Sequence, residues 1–409
     1  MADSIRHAGR WTLEDRFASP WHYLPVEVPA GTSGLRVELD YDRATGAVLD
    51  LGCFGPGGFR GWSGNARESF VIARDAATPG YLPGELEAGT WQVMIGVHRV
   101  PPDGAGYRLT AHIVAPAAAL NPSPGPPPSA PPVPRDRLPR RVLPARAGRR
   151  WLAGDLHTHT VHSDGALTVP ELAALAVGRG LDFLAVTDHN TVSHHAELAA
   201  ASRRYGITLL PGQEVTTDGG HAGALGDVGW IDFREEPDAW LDATEAAGGL
   251  LSVNHPFAGP VSWTRPMRRR PPLLEVWHWS WLDLRWNLPL SWWLAWDPAA
   301  VPVGGSDWHQ EGSDAPPGRP TTWVECEGDE PADVLDGLRA GRVAISAERD
   351  GPVLLRHDDA LVAVGADGLT LAGPQGPCAR VRGDLATLPG PAGPYRLIDP
   401  AGAALALCS

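Results

Sequence analysis

The sequence predicts an α/β protein in which an N-terminal β-sandwich precedes a βα-repeat domain built on a parallel sheet or barrel. Three observations carry that expectation. Residues 1–116 hold short alternating strands between Gly/Pro clusters, a proline-rich stretch follows, and from about residue 149 apolar strand-like runs alternate with helical patterns. A length of 409 residues suits two or three domains better than one core.

In the N-terminal part, Leu35–Asp42 alternates apolar and polar residues at period two, as a half-buried strand does. Ser69–Arg74, Thr90–Val97 and Tyr107–Val114 read as further strands, and clusters such as Gly55-Pro-Gly-Gly58 separate them. Arg60, Trp62 and Arg67 lie in a Gly-rich loop that could bind a ligand or simply pack. Between Pro122 and Pro134, eight of thirteen residues are proline, which predicts a stiff extended linker over 117–148. The arginines from Arg135 to Arg150 read as its solvated continuation.

In the βα part, 149–348, apolar runs end near His157, Thr187, Leu210, Leu225, Val253, Trp277, Val303 and Val324. The clearest helix starts at Thr168, with Glu171 placed to complete a capping box, and stops at Gly180. A second spans about Ser193 to Tyr205 before Gly206. Residues 349–409, rich in Gly, Pro and short apolar runs, predict a small β appendage.

Composition excludes several classes. The formal charge, 34 − 48 = −14, argues against nucleic acid or an anionic membrane as partner and leaves a small molecule as the expected substrate. Four cysteines without CxxC spacing suggest neither a thiolate zinc site nor a disulfide framework. The first residues lack the apolar run of a signal peptide, and no segment approaches a membrane span, so the expected location is cytoplasmic. The residues carry no signal for an oligomeric state.

Ten of the fifteen histidines fall between His157 and His309, most of them just after an apolar strand. That is the end of the strands where α/β barrels place their chemistry. In Gly154-Asp-Leu-His-Thr-His-Thr-Val-His-Ser-Asp-Gly165, His157 and His159 alternate along a strand and can reach one ion. Asp164 adds a carboxylate in the next loop, whereas His162 could face solvent. His189 follows the run Phe183–Val186; its neighbours Asp188 and Asn190 could orient a side chain or cap the next helix. Glu214, His221, His255, Asp307 and His309 stand after later strands. Each alone could be a satisfied core residue; it is their recurrence at successive strand ends that predicts a site for divalent Zn, Mn or Fe.

HxH, SDG, TDHN, an isolated Glu, an isolated His, NHP and SDxH occur in this order across about residues 151–345. The set resembles the polymerase-and-histidinol-phosphatase (PHP) superfamily. The β-rich N-terminal part and the Gly-Gly-Ser-Asp-x-His ending look like its carbaryl-hydrolase (CehA/McbA) branch. The resemblance implies a distorted (β/α)7 barrel with two or three divalent ions. It also implies that His157, His159, Glu214 and Asp307 hold one metal, and that Glu214 bridges to a second held by His221 and His255. Asp164, His189 and His309 match a third site; many relatives carry histidine where Asp164 stands, and the same three residues could instead bind substrate and move protons.

The implied reaction is hydrolysis by a metal-bound hydroxide, and no Gly-x-Ser-x-Gly elbow lies near the histidines to supply a serine nucleophile. His309, or His189 paired with Asp164, is the expected proton donor to the leaving group. Seven tryptophans crowd residues 277–296, where rings can pack outside the barrel or line a substrate wall; Trp277 and His278 are the candidates for the wall, and Arg265, with Arg268, Arg269 and Arg270, reads as a surface run that could receive a phosphate. A phosphoesterase is the leading expectation. The alternatives are a carboxylic ester, amide or carbamate hydrolase, and a non-catalytic binding protein on the same scaffold.

Overall fold

The computed structural model describes residues 4–114, 130–134, 137–312, 315–391 and 393–409. Most of the proline run expected as a linker lies outside the described residues. The chain divides into two compact units. One comprises the residues up to Ala130 with Val161–Asp164 and His189–His194; the other holds the rest.

The first unit is built from β1 (Ser4–Trp11), β2 (Trp21–Val28), β3 (Gly34–Tyr41), β4 (Val48–Gly55), β5 (Gly58–Gly64), β6 (Ser69–Ala73), β7 (Gly89–Arg99) and β8 (Ala105–Val114), with the short helix α1 (Leu13–Ala18). They form two antiparallel sheets, β1-β8-β3-β6 and β2-β7-β4-β5. Alternation explains the burial: Leu35, Val37 and Leu39 of β3 join Val26, Leu49, Leu51, Trp91, Val93 and Ile95 of the other sheet in one hydrophobic cluster. β1, β2, β4 and β5 escape the sequence reading; in β2 a proline, Pro25, sits inside a segment that otherwise alternates from Leu24 to Val28.

The second unit begins with β9 (Arg150–Asp155), α2 (Val169–Gly178), β10 (Phe183–Val186), α3 (His195–Tyr205), β11 (Thr208–Thr217) and β12 (Gly220–Leu225). It continues through α4 (Pro237–Ala246), β13 (Leu250–Asn254), β14 (Leu273–Trp277), α5 (Leu288–Trp296), β15 (Val301–Gly304), β16 (Thr321–Cys326), α6 (Pro331–Arg339) and β17 (Val343–Ser346). Thr168 caps α2: its hydroxyl accepts the Glu171 N–H, while Glu171 accepts the Thr168 N–H at 2.8 Å. Gly180, at φ 76, supplies the left-handed turn that follows α2.

Two expectations are corrected. The sheet is mixed, not all parallel: β9, β10 and β11 run parallel, as do β13, β14 and β15, but β12 is antiparallel to both β11 and β13. Only Asp218 and Gly219 separate β11 from β12, and so short a connection can make a hairpin but not a crossover. Nor do the described residues form a closed barrel. The sheet is open, in the order β15-β14-β13-β12-β11-β10-β9-β16-β17 and onward. β15 is four residues long and meets β16 through a side chain: Thr322 Oγ1 accepts from Gly304 N at 2.9 Å and donates to Gly304 O at 2.8 Å. A single parallel bridge, Thr158 to Trp308, joins the chain beyond β9 to the chain beyond β15.

The last part holds β18 (Val353–His357), β19 (Ala360–Val364), β20 (Thr370–Gly373), β21 (Gly376–Arg380), β22 (Leu385–Pro389), β23 (Tyr395–Ile398) and β24 (Ala404–Cys408). Four of these strands extend the main sheet in the order β24-β23-β20-β21, with β24 antiparallel to β17, while β18, β19 and β22 form a separate three-stranded sheet. The arginine stretch read as solvated is instead anchored within its own unit. Arg140 Nε donates to buried Asp182 at 2.7 Å and Arg146 reaches fully buried Glu325 at 2.5 Å. Such charge-assisted bonds satisfy carboxylates that would otherwise be costly to bury.

Candidate metal centre

β9 stops at Asp155, and the chain beyond it runs extended past the Thr158 bridge, so His157 and His159 flank one bridged residue. Buried Asp155 accepts the N–H groups of His157, Ser306 and Gly318 at 3.1, 3.0 and 2.7 Å. It thereby ties the two chain ends together. Burial raises its carboxyl pKa even so.

Glu214, fully buried on β11, is the centre of the cluster. Its Oε1 lies 3.0 Å from His157 Nε2, 3.3 Å from His221 Nδ1 and 3.2 Å from His255 Nε2, and its Oε2 lies 3.5 Å from His159 Nε2. The hairpin register sets this arrangement, pairing Glu214 with Gly223, and His221 with Asn254 beside His255. Asp307 closes the other side: Oδ1 lies 3.1 Å from His157 Nε2 and 2.9 Å from His159 Nε2, and Oδ2 lies 3.2 Å from His278 Nε2. One ligand atom each from His157, His159, Glu214 and Asp307 falls within 4.8 Å of the others, as does one each from His157, His255 and His278.

His255 and Asp307 adopt φ of 25 and 52, the left-handed region that residues with a Cβ seldom enter. Strain of this kind persists where the surroundings hold it for function.

The donor set fits divalent cations. His255 Nδ1 is buried without a hydrogen-bonded partner among the described residues, and His157 Nε2 meets two carboxylate oxygens at 3.0 and 3.1 Å, a crowding of buried donor atoms that a cation relieves. Protonation reports the same crowding of negative charge. Burial alone would lower the His157 pKa, but Glu214, Asp307 and Glu275 together raise it well above the ordinary value. His255 is raised in the same way, against burial, by its bond to Glu214 and by the surrounding carboxylates. Asp307, which burial would raise, is held well below the usual carboxylate range by His157, His159 and His278. Burial dominates at His278 and lowers it.

Sequence reading missed Glu275. It is buried on β14, accepts from His157 Nδ1 at 3.0 Å and from His255 N at 2.8 Å, and so leaves His157 Nε2 as the nitrogen facing Glu214 and Asp307. The available signal was a lone carboxylate inside Leu273-Leu-Glu-Val-Trp277, which no strand buries without a partner. Gly305 belongs to this arrangement, since a Cβ there would strike Glu275 Oε1 and His157 Cβ. Gly305→Ala is therefore expected to displace Glu275 and lower metal affinity about 10–100-fold, the range for a lost partner of a metal ligand, and to destabilise the metal-free protein by roughly 1–3 kcal/mol, the cost of overpacking a buried site. Titration with a chromogenic chelator measures the first quantity and thermal denaturation the second.

The remaining candidates divide. His309 stacks on His159 at 4.1 Å, and its Nδ1 donates to the Asp307 carbonyl at 2.8 Å. Asp164 and His189 lie in the first unit, 3.6 Å apart. His162 is buried rather than solvent-facing, and Asp188 accepts Thr160 N and Oγ1 at 2.8 and 2.7 Å instead of capping a helix. Of the expected substrate wall, His278 points into the cluster, while Trp277 is buried against Trp281. The exposed ring that reaches the cluster is Trp279, with Nε1 3.4 Å from Asp307 Oδ2. Arg265 pairs with Glu236 at 3.0 Å, and Arg269 with Asp242 and Glu245 at 2.5 Å each, so these cations are engaged along α4 and its approach.

Fold and side chains define a class: an α/β protein with a buried histidine–carboxylate centre suited to divalent cations. Residues 155–251 match the family model of the PHP domain. Over 66 residues the chain is 47% identical to the 3',5'-nucleoside bisphosphate phosphatase of Chromobacterium violaceum, covering 16% of this chain and 23% of that protein. Over 64 residues it is 39% identical to a 5'-3' exoribonuclease of Haemophilus influenzae, again 16% and 23% of the two chains. The chain thus spans about a quarter of the length of these relatives. A solved structure from Bacteroides vulgatus, described as a two-domain protein containing a predicted PHP-like metal-dependent phosphoesterase, is similar at a TM-score of 0.45 and 16% identity, covering 66% of this chain and 98% of that one.

Proposed function

We propose that the chain is a metal-dependent hydrolase of phosphoesterase type acting on a small phosphate mono- or diester. The observation that carries this reading is Glu214, whose Oε1 stands within 3.3 Å of nitrogens from His157, His221 and His255. A carboxylate so placed can serve two cations at once. His157, His159, Glu214 and Asp307 would hold one, and Glu214, His221 and His255 the other. Asp164, His189 and His309 keep, by motif order, the role of third site or proton carriers. Bound divalent cations supply Lewis acidity and a nucleophile active at neutral pH. The residues supply the rest. Glu275 fixes the His157 tautomer, Asp155 ties the two ligand-bearing segments together, and the Asp307 carbonyl holds His309 Nδ1–H, leaving its Nε2 to accept or return a proton. The match of residues 155–251 to the PHP model and the names of the relatives matched over a short segment support this reading. The domain boundaries 1–116, 117–148, 149–348 and 349–409 belong to the same proposal.

A second reading, a carboxylic ester or carbamate hydrolase of the carbaryl-hydrolase branch, is favoured by Trp279, which is 49% exposed beside Asp307. An aryl leaving group can stack there. Metal counting by mass spectrometry, then turnover of aryl phosphate mono- and diesters, a 3',5'-nucleoside bisphosphate, a short RNA, aryl esters and carbamates, tests both. Phosphate ester turnover that disappears on chelation is the expected result. Turnover of carbon esters alone sinks the phosphoesterase reading, RNA turnover alone removes the small-molecule substrate, and inactivity of the fully metallated protein across the panel favours a binding role. With an aryl substrate, Trp279→Ala is expected to raise KM about 2–10-fold, the worth of one aromatic contact, with kcat nearly unchanged in initial-rate kinetics.

A further inference from the structure

We propose that Arg67 is a positioning residue, through which the N-terminal β unit sets the backbone that carries Asp164 and His189. The contacts all lie within the first unit. Arg67, in the turn before β6, donates from Nη1 to the Ser163 carbonyl at 3.1 Å and from Nη2 to the Val161 carbonyl. One guanidinium thus grips the carbonyls on either side of His162, immediately before Asp164. Gly80 completes the contact. Its N–H donates to Ser193 Oγ at 3.0 Å, and its carbonyl accepts from Thr191 Oγ1 at 2.8 Å. Ser193 Oγ in turn lies 2.7 Å from His162 Nδ1, which links the two segments to each other.

Gly80 is irreplaceable here for two reasons. Its φ is +99, and a Cβ would meet the Trp62 and His162 carbonyl oxygens at 2.6 and 2.8 Å. Arg67 and Gly80 therefore bond two peptide carbonyls of one segment, those of Val161 and Ser163, and two hydroxyls of the other. Those segments end at Asp164 and begin at His189, whose side chains stand 3.6 Å apart. Bonds to backbone carbonyls read position and not side-chain identity, as a part that aligns a neighbouring pair must. A lysine cannot reproduce the fork, because its ammonium is a single point donor.

The catalytic part of this proposal rests on the hydrolase reading; the structural part does not, and the test separates them. In the full-length protein, hydrogen exchange of peptides covering 161–164 and 189–194 is compared among wild type, Arg67→Ala, Arg67→Lys and Ser193→Ala, with peptides of β9 and β13 as internal controls. Arg67→Ala is expected to raise exchange about tenfold in both segments and to leave the controls unchanged, with Arg67→Lys intermediate. On the substrate identified in the panel, Arg67→Ala is expected to lower kcat about 10–100-fold with KM little changed, and to cause no further loss in an Asp164→Asn background. Unchanged exchange overturns the proposal, and so do losses that multiply in the double variant. If Arg67→Ala fails to fold, Ser193→Ala, which removes one hydroxyl, carries the same comparison. Inactivity of the wild type sinks the hydrolase reading while the exchange result still decides the positioning claim.

Discussion

Glu214→Gln is expected to lower turnover at least about 1000-fold, roughly 4 kcal/mol of transition-state stabilisation at 1.36 kcal/mol per decade, and to leave the purified protein with less than one bound metal. The reason is the density of positive partners around a single carboxylate. Three imidazole nitrogens lie within 3.3 Å of Oε1, which also accepts from Asn254 Nδ2 at 3.0 Å. An amide keeps the volume but removes the charge, and it must turn either its nitrogen or its oxygen toward groups arranged for a carboxylate. Metal content and kcat at saturating metal measure the two effects together. A variant that retains full metal and full turnover removes Glu214 from the shared position.

Withdrawal of metal gives the second large effect, and its pH dependence follows from the shifts already described. The carboxylates around His157 and His255 raise both imidazoles above their ordinary value, which favours the protonated rings in the metal-free protein. A ligand imidazole must be neutral, and loading metal is therefore expected to release protons, with affinity rising as pH rises. Calorimetry in two buffers of different ionisation enthalpy reads the number directly, and an unchanged apparent heat overturns it.

Stability of the metal-free protein carries the opposite sign. A folded pKa above the unfolded one makes the His157 contribution complete below about pH 6.5, and it is lost as pH climbs through the folded value. Asp307 works in the opposite sense: depressed in the fold, it stabilises above about pH 4 and loses that contribution as pH falls through its folded value. The metal-free thermal midpoint is thus expected to be highest at mildly acidic pH. Saturating metal at about 1000 times its dissociation constant adds roughly 4 kcal/mol, a rise that melting curves with and without chelator detect.

Much of the candidate site was legible in the chain because its residues stand at successive strand ends. An apolar run followed by a lone histidine or carboxylate is visible in one dimension, as at Val253-Asn-His255 and Gly305-Ser-Asp307. Glu275 was hidden inside an apolar strand, where one charged residue looks like an interruption and not a partner. Trp279 was hidden among seven tryptophans; which ring faces solvent beside Asp307 depends on the turn after β14. His278 read as substrate wall for the same reason, since a residue just past a strand end can point to either side.

The sequence by itself determined the kinds of element, the order of the donors and the histidine–carboxylate chemistry they offer, because periodicity and donor type are local properties. Only the tertiary structure decided that Glu214 stands between two sets of imidazoles, that the sheet stays open, and that the N-terminal unit grips the chain before Asp164. The physical reason is registry. A two-residue hairpin reverses β12 and brings His221 opposite Asn254, beside His255, while hydrogen bonds such as those of Glu275, Asp155 and Arg67 join residues far apart in the chain, and no local pattern records their partners.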